Sequence, residues 1–377
     1  MKSKLLVLLV LNLSIIANVF SQTNDDLSKL ISNIKEVKLV DAKKIADKLE
    51  GKKDYLENPE FWLYKGLLYH TIYETPTNEL NKQIPDAIEV SYDSYKKALK
   101  YDTEKTYNAQ IFKALGFLTN QFMHYGLEQF NSGNYDKSLK AFENTIELNS
   151  MPEILFNDTI AYYNAALSAE KLKEYDKAVS FYKTLIAFKY GEGEMYKDLS
   201  EVYKEMGNDD LYLQTLLEGV KYYPEDNKLY IELINHYLVV SDVENAFKYV
   251  NKSLEIDKTN AGMYFVLGSL YESKKDDVNA EKSYLKSLEI DPNYDDAAYN
   301  LGALYYNRGK NLYTHAKTKD EKERYEADFN NSLKYFKIVE KNEPNDKNVL
   351  LTMKNIYRIL GMEKEKAEID KKLEGLK

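Results

Sequence analysis

Apolar residues recur along most of the chain at i, i+3, i+4 and i+7, the spacing that puts them on one face of an α-helix. In residues 261–292, Tyr264, Leu267, Gly268 and Tyr271 form one such stripe, and Ala280, Tyr284, Ser287, Leu288 and Ile290 form a second. Asp276, Asp277 and Asn279 lie between them and supply turn and helix-start chemistry. Pro292 closes the segment, because proline cannot continue a helix. Gly268 and Ala280 are small where the two helices would cross, which lets the backbones approach. The pattern predicts a pair of antiparallel helices.

The pair repeats. Tyr203, Tyr237, Tyr271 and Tyr305 follow one another at intervals of 34 residues. Pro224, Lys258 and Pro292 keep the same interval, as do Gly207, Ser241, Lys275 and Gly309. Columns that share one period mean one supersecondary unit stacked on itself, so length alone does not set the number of domains. These residues resemble the tetratricopeptide repeat (TPR), whose pattern sets small residues at the helix crossing, a tyrosine in the first helix and a proline at the end. The unit from Asp295 carries Leu301-Gly302, Tyr305 and Gly309; the unit from Asn58 carries Trp62, Gly66 and Tyr69, then Tyr95 and Ala98. Others carry Gly126, Gly133, Ser138 and Phe142; Ala166, Ala178 and Tyr182; Tyr203, Gly207 and Leu216; Tyr237, Ala246 and Val250; and finally Tyr357 and Gly361. The resemblance covers residues 58–377. It implies an all-α fold, a right-handed α-solenoid of stacked antiparallel helix pairs with about eight TPR units. Residues 22–57 read as a degenerate N-terminal pair, with Leu27, Leu30 and Ile34 on one helix and Ala42, Ile45, Ala46 and Leu49 on the next.

Several positions depart from that pattern. Lys65 stands where the first unit should have Leu, and Ser91 and Ser138 stand where Ala is usual. Insertions are expected near 75–85, where Pro76 and Pro85 predict a loop, near 103–118, and at 310–331. The last is rich in alternating charge and predicts a solvated, salt-bridged helical hairpin. Residues 149–158 add a shorter extension.

The first residues read as an address. Lys2 and Lys4 precede an apolar run from Leu5 to Ile16, and Val19 and Ser21 suit cleavage before Gln22. The run is shorter than a spanning helix, so residues 1–21 are expected to be a cleaved signal peptide and the mature chain to have no transmembrane segment. The chain has no cysteine and a formal net charge of -9. Disulfides, thiolate metal sites and an acylated lipoprotein cysteine are excluded, and nucleic acid is disfavoured as a partner because phosphate neutralisation needs a basic face. Arginine occurs only at Arg308, Arg324 and Arg358, and the 34 tyrosines fit the codon bias of an AT-rich genome. An exported bacterial protein, similar to TPR proteins of the Bacteroidetes, is expected in the periplasm, on the envelope, or secreted.

Catalytic chemistry is not evident. His70, His124, His236 and His315 lack paired-ligand spacing, and no phosphate loop or nucleophile elbow occurs. Gly191-Glu192-Gly193 reads as a helix break, and Asp291 to Asp296 lacks the central glycine and terminal glutamate of a calcium loop. No cofactor, metal or catalytic residue is expected.

The resemblance implies that first helices line a concave groove. Its facing positions fall on Met123, Leu127 and Phe130, on Lys228, Ile231, Asn235, Leu238 and Val239, on Phe265, Ser269 and Glu272, and on Tyr299, Ala303, Tyr306 and Asn307. Lys197, Glu201, Lys204 and Glu205 make an adjoining charged stretch. The clamp by which some relatives hold acidic C-termini is not assembled, since Glu201 follows Lys197 and Ile231 precedes Asn235. The leading expectation is a non-enzymatic scaffold that binds a protein or peptide partner. The alternative is a glycan-binding module of an outer-membrane nutrient-uptake system, using exposed aromatic rings.

Overall fold

The computed structural model of the protein describes residues 25–75 and 79–376, and the leader expected over residues 1–21 lies outside them. The described residues form nineteen α-helices and no strand. The chain divides after Gly191 into two compact units. In the N-terminal unit the pairs are α1 (Asp25–Lys35) with α2 (Leu39–Glu50), α3 (Pro59–Tyr73) with α5 (Ala87–Tyr101), α6 (Asn108–Asn131) with α7 (Tyr135–Asn149), and α8 (Thr159–Leu172) with α9 (Tyr175–Ala187). A short α4 (Glu79–Gln83) interrupts the second pair. The C-terminal unit pairs α10 (Gly193–Glu205) with α11 (Asp209–Tyr222), α12 (Asn227–Val239) with α13 (Val243–Ile256), α14 (Ala261–Ser273) with α15 (Asp277–Ile290), α16 (Asp295–His315) with α17 (Lys319–Asn342), and α18 (Lys347–Leu360) with α19 (Glu363–Gly375). Within each unit, every pair packs on the next.

Local chemistry sets the helix ends. Asn58, Asp158, Asn208, Asp226, Asp242, Asn260, Asp276 and Asp346 each accept a backbone N–H from the first turn of the helix that follows. This satisfies donors that the helix itself cannot. The turn after a first helix is left-handed at Gly133, Lys173, Gly207, Ser241, Lys275 and Gly361, with φ between 57° and 78°. That conformation accounts for the Gly207, Ser241 and Lys275 column. Gly309 belongs to the same column in sequence but lies inside α16, which runs on to His315.

The helices of a pair meet through a steric match sixteen residues apart. A Cβ on Gly268 would come within 2.5 Å of the Tyr284 ring, and one on Gly126 within 2.8 Å of Phe142. Gly66 against Tyr95 and Gly302 against Phe336 repeat the match where insertions lengthen the separation. At the equivalent positions elsewhere stand Ala166 with Tyr182, Ser200 with Leu216, and Ile234 with Val250, all buried. The small and large members trade size. In the last pair the two positions are Lys354 and Asp370, which form an ion pair. The serines that depart from the repeat pattern add a bond to this crossing. Ser91 donates to the Gly66 carbonyl at 2.8 Å, and Ser138 donates to that of Gly126 at 2.9 Å. Ser332 does the same to Gly302 at 2.8 Å.

Lys65 has a local explanation. It is buried under α2, with Nζ 2.6 Å from Glu50 Oε1 and 4.9 Å from the Trp62 ring. The α1–α2 pair covers α3, which is apolar all round and buried from Phe61 to Ile72 on nearly every side. The expected loop after α3 contains the short α4, from which Asn81 Nδ2 donates to the Ile72 and Tyr73 carbonyls and closes the end of α3. Residues 108–118 are helical and extend α6 forward, burying Ile111, Ala114, Leu115 and Leu118. Residues 310–331 are the far ends of α16 and α17. Exposed i,i+4 pairs such as Arg324 with Asp320 run along them. Arg308 holds their base, gripping the Asp328 carboxylate through Nε and Nη2 and reaching Glu281 on α15 through Nη1 at 2.8 Å.

Three stability outcomes follow. Gly268→Ala should destabilise the chain by about 1–3 kcal/mol, because the methyl group must displace a packed ring. Gly116 in α6 has open space around its Cα, so Gly116→Ala should stabilise by up to about 1 kcal/mol. Urea unfolding of both variants checks the opposite signs, and equal shifts would contradict the steric match. Lys275→Gly should raise stability by about 1 kcal/mol, because it relieves a left-handed L-residue. An unchanged urea midpoint would show that Lys275 is not strained.

Candidate partner-binding face

Helical spacing leaves one stripe partly open on four first helices of the C-terminal unit. On α10 it is Lys197, Glu201 and Lys204; on α12, Ile231, Asn235 and Leu238; on α14, Phe265, Ser269 and Glu272; on α16, Tyr299, Ala303 and Tyr306. Each set follows i, i+4, i+7, the spacing of one helix face.

Shared contacts join these stripes. Leu238 and Ser269 line one cavity of about 180 Å³ together with Tyr237, Val243 and Leu270. The Tyr284 hydroxyl donates to Glu272 Oε2 at 2.7 Å, lies 3.3 Å from Ser269 Oγ, and accepts from Asn300 Nδ2 of α16 at 3.2 Å. Burial, followed by the neighbouring Glu272 carboxylate, pushes its phenol up to about 12. The Tyr306 hydroxyl accepts from Asn355 Nδ2 of α18 at 3.2 Å. The open faces of α12, α14 and α16 are therefore linked in series, and Asn355 ties α18 to the last of them.

The residues named from sequence take different parts here. Phe265 packs against Tyr284 and Tyr294, with ring centroids 6.0 and 5.6 Å away. Tyr299 meets Phe336 edge-on at 5.9 Å and keeps 39% of its surface exposed. Tyr306 packs on Phe329, so both its ring and its hydroxyl are engaged within the fold. Ala303 packs at the edge of the core. Asn235 and Asn307 are exposed, and Ile231 is half-buried. Lys197 is ringed by Glu201, Asp198 and Glu194 at 3.1, 3.4 and 3.6 Å. Burial opposes its charge, but those carboxylates win and hold the ammonium well above its ordinary pKa.

Sequence reasoning missed Tyr284 as part of this face, because it belongs to a second helix. Gly268, by leaving room for the ring, lets its hydroxyl through to the other side. Val239, a groove-facing position by the repeat pattern, is 84% exposed and is followed by Val240, which the pattern did not single out and which is also exposed. Its signal is three consecutive apolar residues, Leu238 to Val240, at a helix end.

Elsewhere in the same unit a larger cavity of about 560 Å³ is lined by Tyr222, Tyr223, Pro224, Glu225, Asp226 and Lys228 among others. Tyr222 is exposed and stacks on buried Tyr196 at 6.2 Å, with Lys221 Nζ 5.7 Å from its ring. Among the described residues no cluster of three or more His, Asp or Glu could hold a metal ion, and no helix is long and apolar enough to cross a membrane.

Comparison with known families places tetratricopeptide repeats at residues 126–191, 261–294 and 283–313, roughly a third of the chain. Comparison with curated proteins gives no match. Among solved structures, the chain is similar to the C-terminal part of a TPR repeat-containing protein from Cytophaga hutchinsonii, at 16% identity and a TM-score of 0.44, over 67% of this chain and 99% of that one. It is also similar to MamA from Desulfovibrio magneticus, at 17% identity and a TM-score of 0.37, over 47% and 97%. YrrB, described as a TPR protein with an unusual peptide-binding site, gives 17% identity and a TM-score of 0.35, over 54% and 95%.

His70 gives this protein a pH-sensitive element. His236 packs against Tyr212 and Tyr237, and His315 contacts the Asn311 carbonyl at its helix end. His70 on α3 is fully buried, its ring 6.5 Å from that of Tyr95 on α5, and neither ring nitrogen has a hydrogen-bond partner. Burial holds the imidazole at about 4, against 6.5 ordinarily, with nearby Gln121 of α6 partly offsetting that. The folded state therefore keeps His70 neutral while the unfolded chain takes up a proton as pH falls. Stability from this residue should be intact above pH 6.5 and fall by ~3 kcal/mol as pH drops from 6.5 towards 4. Urea unfolding across that range should give a shallower pH dependence for His70→Leu than for wild type. Parallel profiles would remove His70 as the cause.

Proposed function

We propose that this TPR-repeat chain is an exported, non-enzymatic scaffold that binds a protein or peptide partner on the first-helix face of its C-terminal unit. The observation that carries the reading is the series of half-open stripes on α12, α14 and α16, joined at the Leu238–Ser269 cavity and at the Tyr284 hydroxyl. Such a face offers large, rigid contact area from Tyr299 and Phe265 at small entropy cost, together with exposed amides at Asn235 and Asn307 for directional bonds. Most of its aromatic rings are braced from behind by second-helix rings, so little ordering remains when a partner arrives. Export rests on the Lys2–Lys4, Leu5–Ile16 and Val19–Ser21 pattern, with cleavage before Gln22 and residence in the bacterial envelope.

The test is affinity capture from envelope extract with the mature chain, beside an Asn235→Ala, Leu238→Ala, Tyr299→Ala variant. These three side chains are exposed, so the variant should keep wild-type helicity and melting. The expected result is a protein retained by wild type and lost with the variant. Equal retention by both, or retention by neither, would sink the reading.

A further inference from the structure

The cavity between α12 and α14 narrows the partner's chemistry; this inference rests on the binding face proposed above. At about 180 Å³ it is smaller than the roughly 300–1,000 Å³ of pockets that take whole cofactors or drug-sized ligands. It suits a single side chain. Tyr237, Leu238, Val243 and Leu270 give it apolar walls. Two of its serines have their hydroxyls engaged inside the protein: Ser273 Oγ donates to the Leu270 carbonyl at 2.7 Å, and Ser269 Oγ pairs with the Tyr284 hydroxyl. Polar groups entering there would meet few free partners, which is costly for a buried donor or acceptor. The apolar surface continues outward through Leu238, Val239 and Val240, which are 40%, 84% and 54% exposed.

Charge limits what can flank that side chain. The stripe on α14 carries one carboxylate, Glu272, and the one lysine of α12, Lys228, is paired with Glu194 of α10. Lys197 on α10 is already encircled by three carboxylates. An acidic segment laid along this face would find no cation on α12 or α14 that is not already paired with a carboxylate of the chain, and would meet Glu272.

We propose that the partner is a peptide segment with no net negative charge, anchored by one apolar side chain in the cavity between Leu238 and Ser269. Ser269→Leu fills the cavity from its wall, whereas Ser269→Ala leaves it open and controls for loss of the hydroxyl.

The mature chain would be used to pan a displayed random peptide library, and enriched peptides would be synthesised and titrated against both variants. Enriched peptides should share an apolar residue, carry zero or positive net charge, and bind Ser269→Leu roughly tenfold to a hundredfold more weakly than Ser269→Ala. Enrichment of acidic peptides would overturn the proposal. So would equal affinity for Ser269→Leu; if the Asn235→Ala, Leu238→Ala, Tyr299→Ala variant still abolishes binding, the binding face survives without its anchor. Peptides indifferent to every variant, or no enrichment at all, would overturn both.

Discussion

The fold depends on how closely two helices of a pair can approach. That distance is set where one helix offers little and the other offers much. Glycine against tyrosine or phenylalanine is the extreme form, at Gly268 with Tyr284 and Gly126 with Phe142. Ala166 with Tyr182, Ser200 with Leu216 and Ile234 with Val250 move the bulk progressively across the same contact. Close packing tolerates such exchanges when total volume is kept and penalises them otherwise. The crossing thus constrains a sum and not an identity. Where the pair is half open to solvent, as at Lys354 and Asp370, an ion pair meets the same demand.

The candidate binding face depends on this crossing. Because Gly268 has no side chain, the Tyr284 ring passes between the helices of its pair and brings a hydroxyl to the far side. There it gathers Ser269, Glu272 and Asn300 from two successive first helices. Packing and the candidate binding surface are one arrangement seen from opposite sides. The face is also largely self-satisfied in charge, with Lys197 and Arg308 both held by carboxylates of the chain itself.

The helical architecture was legible in the sequence because its signals are periodic. The tyrosines at 203, 237 and 305 are buried, so their spacing reported packing and not only codon usage. Isolated residues were harder to read. Ser91 and Ser138 look like weakened alanines in one dimension, yet they bond a glycine carbonyl on the partner helix. Lys65 looks like a misplaced charge until Glu50 and Trp62 close over it. His70 looks like one of four scattered histidines, although it is fully buried and without a hydrogen-bond partner. Gly309 sits in a turn column while belonging to a lengthened helix. For Ser91, Ser138, Lys65 and His70 a deciding neighbour lies on another helix, where the local pattern does not show it. The placement of Tyr284 on the binding face failed for the same reason.

The steric match at the crossing is contained within a single pair. A helix pair carries both halves of its own fit, the donor of space and the occupant. Copying a pair into a new place, or removing one, leaves every other crossing intact. Replacing only one helix of a pair would break it. Gene duplication and recombination in this lineage are then expected to respect boundaries between pairs. Substitutions at the two crossing positions should be inherited together, as a linked character sixteen residues apart.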